Sequence, residues 1–242
     1  MADMERQVQY GNRARVDEGI DQGLRSYMLS VYNYMAVGLL ITGVAAYGMY
    51  SAMVGNPELA QTLFGSPLKW VVMLAPLAFV MVLSFGIHKM SVSTAQLVFW
   101  TYAAVMGVSI SWILLVFTGE SVVRTFFITA ASFGALSLYG YTTKRDLSGM
   151  GSFLFMGLIG LILASVVNLF LQSSAMQFAI SVIGVLIFAG LTAYDTQRIK
   201  EMYFEGDGAL AQGRKAIMGA LSLYLNFVNM FMFLLQFLGN RE

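Results

Sequence analysis

The sequence predicts an all-α membrane protein with seven transmembrane helices in one domain. Three observations carry that prediction. Hydrophobic residues make up 58% of the 242 and charged residues 11%, with a mean hydropathy of +0.71. Soluble domains average roughly 25% charged residues, so this chain lacks the groups to build a water-facing surface. The apolar residues also run in unbroken blocks about as long as a bilayer-crossing helix, about 20 residues, and the charges fall between those blocks.

The chain opens on a polar segment. Residues 1–26 hold Arg6, Arg13, Arg15 and Arg25 together with Asp3, Glu5, Asp17, Glu18 and Asp21. No short apolar core with a small-residue cleavage site precedes the first block, so that block is expected to remain a span. The domain division is therefore a polar cytoplasmic tail over 1–26 and a membrane domain over 27–242. Spans are expected at Tyr27 to Tyr50, Lys69 to Ile87, Gln96 to Phe117, Ser121 to Tyr141, Ser152 to Leu171, Ala175 to Tyr194 and Ile217 to Leu238. Between the first two, the turn signals Gly55-Asn56-Pro57 and Gly65-Ser66-Pro67 bracket a short interfacial helix. The Ser173-Ser174 link is so short that the fifth and sixth spans must be antiparallel neighbours. Glu120 and Arg124, at i and i+4, are spaced to form an ion pair at the start of the fourth span.

Orientation follows from the basic residues. On one side lie the four tail arginines, Lys89, Lys144, Arg145, Arg198, Lys200, Arg214 and Lys215; on the other lie Lys69, Arg124 and Arg241. This bias places the N-terminus in the cytoplasm. A seventh segment that crosses puts the C-terminus outside, and a re-entrant one leaves both ends inside. Glycines at 38, 43, 149, 151, 157, 160, 184 and 190 are expected at close helix contacts. Tyr27, Tyr50, Trp70, Tyr139, Tyr141 and Tyr194, near span ends, read as interfacial anchors.

Several functions are excluded. The basic residues form no stripe or patch that would engage DNA or RNA. The chain has no cysteine and one histidine, which removes disulfides, thiolate chemistry and most metal sites, and no cofactor motif occurs. HExxH, GxSxG and phosphate-loop patterns are missing, so an enzyme is not expected. No internal repeat of the transporter kind is found.

Polar groups at membrane depth remain. Asp195 closes the sixth span, where the helix end and desolvation both disfavour its charge; it either senses protons or pairs with Arg198 one turn on. Ser222, Asn226 and Asn229 form one stripe on the seventh span. They either hydrogen-bond between helices or line a cation path, and the same alternatives apply to Asn168. His88 reads as a solvated loop residue or, with Arg198, as a counter-charge.

Four motifs then carry a resemblance: Gly140-Tyr-Thr-Thr-Lys-Arg-Asp-Leu-Ser148, Asn168-Leu-Phe170, Ala193-Tyr-Asp-Thr-Gln-Arg-Ile-Lys200 and Ala220-Leu-Ser-Leu-Tyr-Leu-Asn-Phe227. In order and spacing the sequence resembles the Bax inhibitor-1 family, in its bacterial YccA-like branch. The resemblance implies six helices around a central seventh in a bacterial inner membrane, and a pH-sensitive calcium leak gated by two facing carboxylates. It also implies, as an alternative, a modulator of a membrane-bound ATP-dependent protease, contacted through the tail. The first carboxylate corresponds to Asp195; where the family pattern reads Leu-Asp-Phe, this chain has Leu225-Asn226-Phe227. Two acids share a proton, whereas Asp and Asn hydrogen-bond without like-charge repulsion, and one carboxylate offers a hard cation less charge. Asn226 lies about 14 Å into its span at 1.5 Å per residue, so contact with Asp195 requires the sixth helix to run past Tyr194. Apolar Ile199, Met202 and Tyr203 favour that continuation.

Overall fold

A computed structural model of the chain describes residues 2–241, with side chains from residue 22 onward. Most of the polar tail, including any partner contact it makes, therefore lies outside the described side chains. Helix α1 runs Ala2–Gly55, and its membrane-crossing part is Gln22–Gly55. The short α2 (Pro57–Ala60), capped by the Asn56 side chain with Pro57 at its first position, leads through a single wide turn, Gln61–Gly65. A short helix is thus present between the two turn signals. Next come α3 (Leu68–Gly86), α4 (Val92–Ile110) and a one-turn α5 (Ile113–Val116). They are followed by α6 (Gly119–Thr142), α7 (Ser148–Leu171), α8 (Ser174–Glu201) and α9 (Ala209–Leu238).

Seven of these helices, counting α4 and α5 as one, are long and apolar enough to cross a membrane. Their starts follow from side-chain caps: Ser91 accepts from the Thr94 amide, Thr118 from Ser121 and Ser173 from Met176. The third span is broken at Ser111, a fully buried residue whose hydroxyl donates back to the Val108 carbonyl at 2.8 Å. That bond competes with the helical ladder and ends α4.

Helix α9 is the most buried span and packs against α1, α4, α6 and α8. Helix α3 packs along α4, and α7 along α8, both at the periphery. The seventh span is continuous, and its end meets the beginning of α6: the Thr118 amide donates to the Asn240 carbonyl, and the Asn240 amide to Ser121 Oγ. It therefore crosses the bundle and does not turn back. Arg124 joins this junction, donating to the Leu238 carbonyl at 3.4 Å. It makes no ion pair with Glu120; the ion pairs among the described residues are Asp195–Arg198 and Asp207–Lys215.

The small residues divide in two. Gly38 faces Phe99 and Tyr224, Gly151 faces Tyr194, Gly157 faces Ile187, Gly184 faces Phe233 and Gly190 faces Leu154, all at helix contacts. Gly43, Gly149 and Gly160 face open space instead. Close approaches to the backbone of a neighbouring helix are elsewhere: a Cβ on Gly107 would meet the Thr42 carbonyl of α1, and one on Gly140 the Ala193 carbonyl of α8. These are backbone-to-backbone contacts that only glycine allows. Of the expected anchors, Trp70 and Tyr139 are exposed, whereas Tyr27 is buried against Tyr203 with ring centroids 5.6 Å apart.

A candidate ion site between the sixth and seventh spans

The basic ends of α8 and α9 are tied to neighbouring loops, and this fixes the register between the two helices. Arg214 Nε donates to the Met90 carbonyl of the α3–α4 link at 2.8 Å. Lys215 reaches back to Asp207 and to the Met202 carbonyl. On α8, Gln197 holds the α6–α7 loop at two points: its Oε1 accepts from the Leu147 amide and its Nε2 donates to the Arg145 carbonyl, both at 2.8 Å. Lys200 donates to the Tyr141 carbonyl at 2.8 Å, satisfying one of the free carbonyls at the end of α6. Asp146, exposed in this loop, accepts from the Ser148 amide at the start of α7. Hydrogen bonds from the Ser148 side chain and amide hold its carboxyl below the ordinary value.

Helix α8 runs to Glu201, more than a turn past Asp195. The carboxylate thus lies above the last turn, beyond the reach of the helix-end dipole. It is 8% exposed. Asn226 Nδ2 donates to Asp195 Oδ2 at 2.8 Å, and Arg198 Nη2 lies 3.1 Å from Oδ1, so each carboxylate oxygen has one partner. Arg198 also reaches Ser222 Oγ at 3.5 Å and sits over the Tyr194 ring, 5.7 Å from its centroid. The continuation of the sixth helix therefore brings Asp195, Arg198, Ser222 and Asn226 together.

Asn229 donates to the Leu225 carbonyl of its own helix at 2.8 Å and does not touch Asp195, although it lines the same cleft. That cleft, about 1010 Å³, lies between α7, α8 and α9, with α7 contributing a mainly apolar wall. Asn168 does not belong to it. Its amide oxygen accepts from the Ser173 amide and its Nδ2 donates to Gln177 at 3.1 Å, fastening the α7–α8 turn at the opposite end of the bundle. His88 is exposed at the α3–α4 link, away from the residues lining the cleft. Among the described residues no cluster of three or more His, Cys, Asp or Glu could hold a metal.

Among the polar features that escaped the sequence reading, two join loops or helices at α8. One is the double hold of Gln197 on the loop. The other is a buried chain in which the Tyr32 and Ser137 hydroxyls share a hydrogen bond at 2.6 Å, and Ser137 and Thr196 share one at 3.0 Å, joining α1, α6 and α8. The i, i+4 pair Thr192 and Thr196 was the available signal: polar residues on a second face of α8 imply a partner there.

Fold and site together define an integral membrane protein in which the one buried carboxylate among the described residues is braced by an amide and a guanidinium at the wall of a cleft. Its sequence relationships agree: residues 24–242 match the family described as "Inhibitor of apoptosis-promoting Bax1". The chain is 51% identical over 222 residues to an uncharacterized protein of Rickettsia prowazekii, covering 92% of each chain. It is 49% identical over 239 residues to an uncharacterized Caulobacter vibrioides protein, covering 94% of each. The Escherichia coli inner membrane protein YbhL is 47% identical over 223 residues, 91% of this chain and 94% of that one. The protein belongs to the Bax inhibitor-1 family.

Proposed function

We propose that the protein is a proton-sensitive cation leak, with calcium as the cation, in a bacterial plasma membrane. The observation that carries this reading is the Asp195 carboxylate, hydrogen-bonded to Asn226 of α9 and paired with Arg198 beside the cleft. Ionised, Asp195 ties α8 to α9 and holds the guanidinium. Protonation removes the charge that holds Arg198 and one acceptor of the tie, so the helices loosen. Arg198 and Asn226 contact Asp195, Ser222 contacts Arg198, and Tyr194 and Asn229 line the same cleft; the α7 residues lining it carry no charge. The excess of basic residues at the end bearing the α3–α4, α6–α7 and α8–α9 loops supports a cytoplasmic N-terminus. The name of the Escherichia coli relative supports the inner membrane.

Calcium-dye liposomes containing wild type, Asp195→Asn and Asn226→Asp test this reading. Wild type is expected to leak with a pH dependence that Asp195→Asn abolishes. Asn226→Asp is expected to gain proton-dependent flux, because two facing acids share a proton and offer a hard cation more charge. Absence of flux from all three at every pH would end the proposal.

A further inference from the structure

The polar stripe of α9 extends beyond the residues at Asp195. Ser222, Asn226, Asn229, Phe233 and Gln236 follow one another at steps of four, three, four and three, so they share one face of the helix. Phe233 is the single apolar member. Two cavities lie along this face. Asn226, Asn229 and Phe233 line the cleft beside Asp195. One turn on, Gln236 lines a second cavity of about 490 Å³ with Asn168, Gln177 and Ser181, and Leu169 borders both. The second cavity is a connected polar cluster: Asn168 donates to Gln177, Gln177 donates to Gln236, and Ser181 donates to Gln236 at 3.3 Å.

Between the two polar regions the Phe233 ring stacks on Phe188 of α8, with centroids 5.9 Å apart and planes 25° from parallel. Gly184 makes room for it: a Cβ there would lie 2.7 Å from Phe233 Cδ2. The ring thus rests flat against the α8 backbone, held on one side by glycine and on another by a buried phenyl.

We propose that the Phe188–Phe233 pair is a dry constriction separating two water-accessible vestibules on one ion path along α9, the inner one at Asp195 and the outer one at Gln236. This rests on the cation-leak reading for the path, and on the two cavities for the constriction. Apolar constrictions close a pore by expelling water, without a charged gate. The side-chain carbonyl oxygens of Asn168, Gln177 and Gln236 suit a hard cation that has passed the ring. Protonation at Asp195 then acts on the inner vestibule, about two helical turns from the ring that seals it.

The absence of cysteine from the chain permits a direct test. Single cysteines replace Asn229 or Gln236 in otherwise wild-type protein in sealed vesicles, and a small membrane-impermeant thiol reagent is applied to each side in turn. Asn229→Cys is expected to react from the Lys/Arg-rich side and Gln236→Cys from the other. Adding Phe233→Ala, or separately Phe188→Ala, is expected to make each cysteine react from both sides and to raise ion flux several-fold at every pH. Reaction of both cysteines from the same side without the alanine overturns the constriction, whatever the folding of the alanine variants. Unchanged sidedness in both alanine variants, eluting as monodisperse protein, overturns it too. Because sidedness is read without ion flux, preserved sidedness with no flux sinks the leak alone, and normal flux with failed sidedness sinks the constriction alone.

Discussion

Replacing Gln197 by Ala removes a side chain that is 5% exposed and makes two hydrogen bonds to one loop, to the Leu147 amide and the Arg145 carbonyl. At about 0.5–1.5 kcal/mol for each net hydrogen bond, the loop loses about 1–3 kcal/mol of its docking. That corresponds to roughly a 5–150-fold rise in the population of the undocked loop. Amide hydrogen exchange of the protein in nanodiscs, followed by mass spectrometry on the peptide covering residues 143–148, reads this directly. The expected result is faster exchange of that peptide by a factor in this range, with α9 peptides unchanged. Gln197→Glu keeps an acceptor for the Leu147 amide and places another oxygen against the Arg145 carbonyl, so it should protect the Leu147 amide only in part. If exchange of the peptide in Gln197→Ala matches wild type, Gln197 does not hold the loop, and the pairing of these two motifs has another cause.

Two further predictions concern parts of the fold outside the candidate site. Gly140→Ala, whose added methyl meets the Ala193 carbonyl, should lower stability by about 1–3 kcal/mol through overpacking. Gly160→Ala, which meets nothing within 4 Å, should be neutral or gain up to about 1 kcal/mol from helix propensity; thermal unfolding in one detergent separates the two. Asp146 has its proton affinity lowered in the folded state by the bonds from Ser148. Its contribution is thus present above the unfolded carboxylate value, about 3.9, and is lost as pH falls through the lower folded value. A pH series on wild type and Asp146→Asn should diverge at neutral pH and converge in strong acid; a constant difference down to the lowest pH would count against the bond.

The spans were legible because hydropathy and helical hydrogen bonding coincide in the middle of a bilayer, and they separate at its edges. Helix α9 begins at Ala209 rather than Ile217 because Arg214 and Lys215 end the apolar window without ending the helix. Their long side chains reach out to Met90, Asp207 and Met202. For the same reason α8 passes Tyr194 and reaches Glu201. The contact between Asp195 and Asn226 was legible once that continuation was allowed. The place of Asn168 was not, since a polar residue near a helix end serves a path or a turn equally well until the next helix is positioned. Gln172 settles it: its left-handed backbone, φ 49°, turns the chain back so that the Ser173 amide meets the Asn168 side chain. The Glu120–Arg124 pairing failed because i, i+4 spacing describes a helix in isolation, and a free carbonyl at Leu238 lay within reach.

The Asp195–Arg198 pair makes the cleft electrically self-balanced. The guanidinium occupies the carboxylate as a bound metal ion would, so the protein carries its own competitor. A cation arriving at Asp195 would have to evict a tenant, and its apparent affinity would be weakened by the work of parting the pair. In the proposed leak, weak and readily reversed occupancy of that kind would favour throughput over storage.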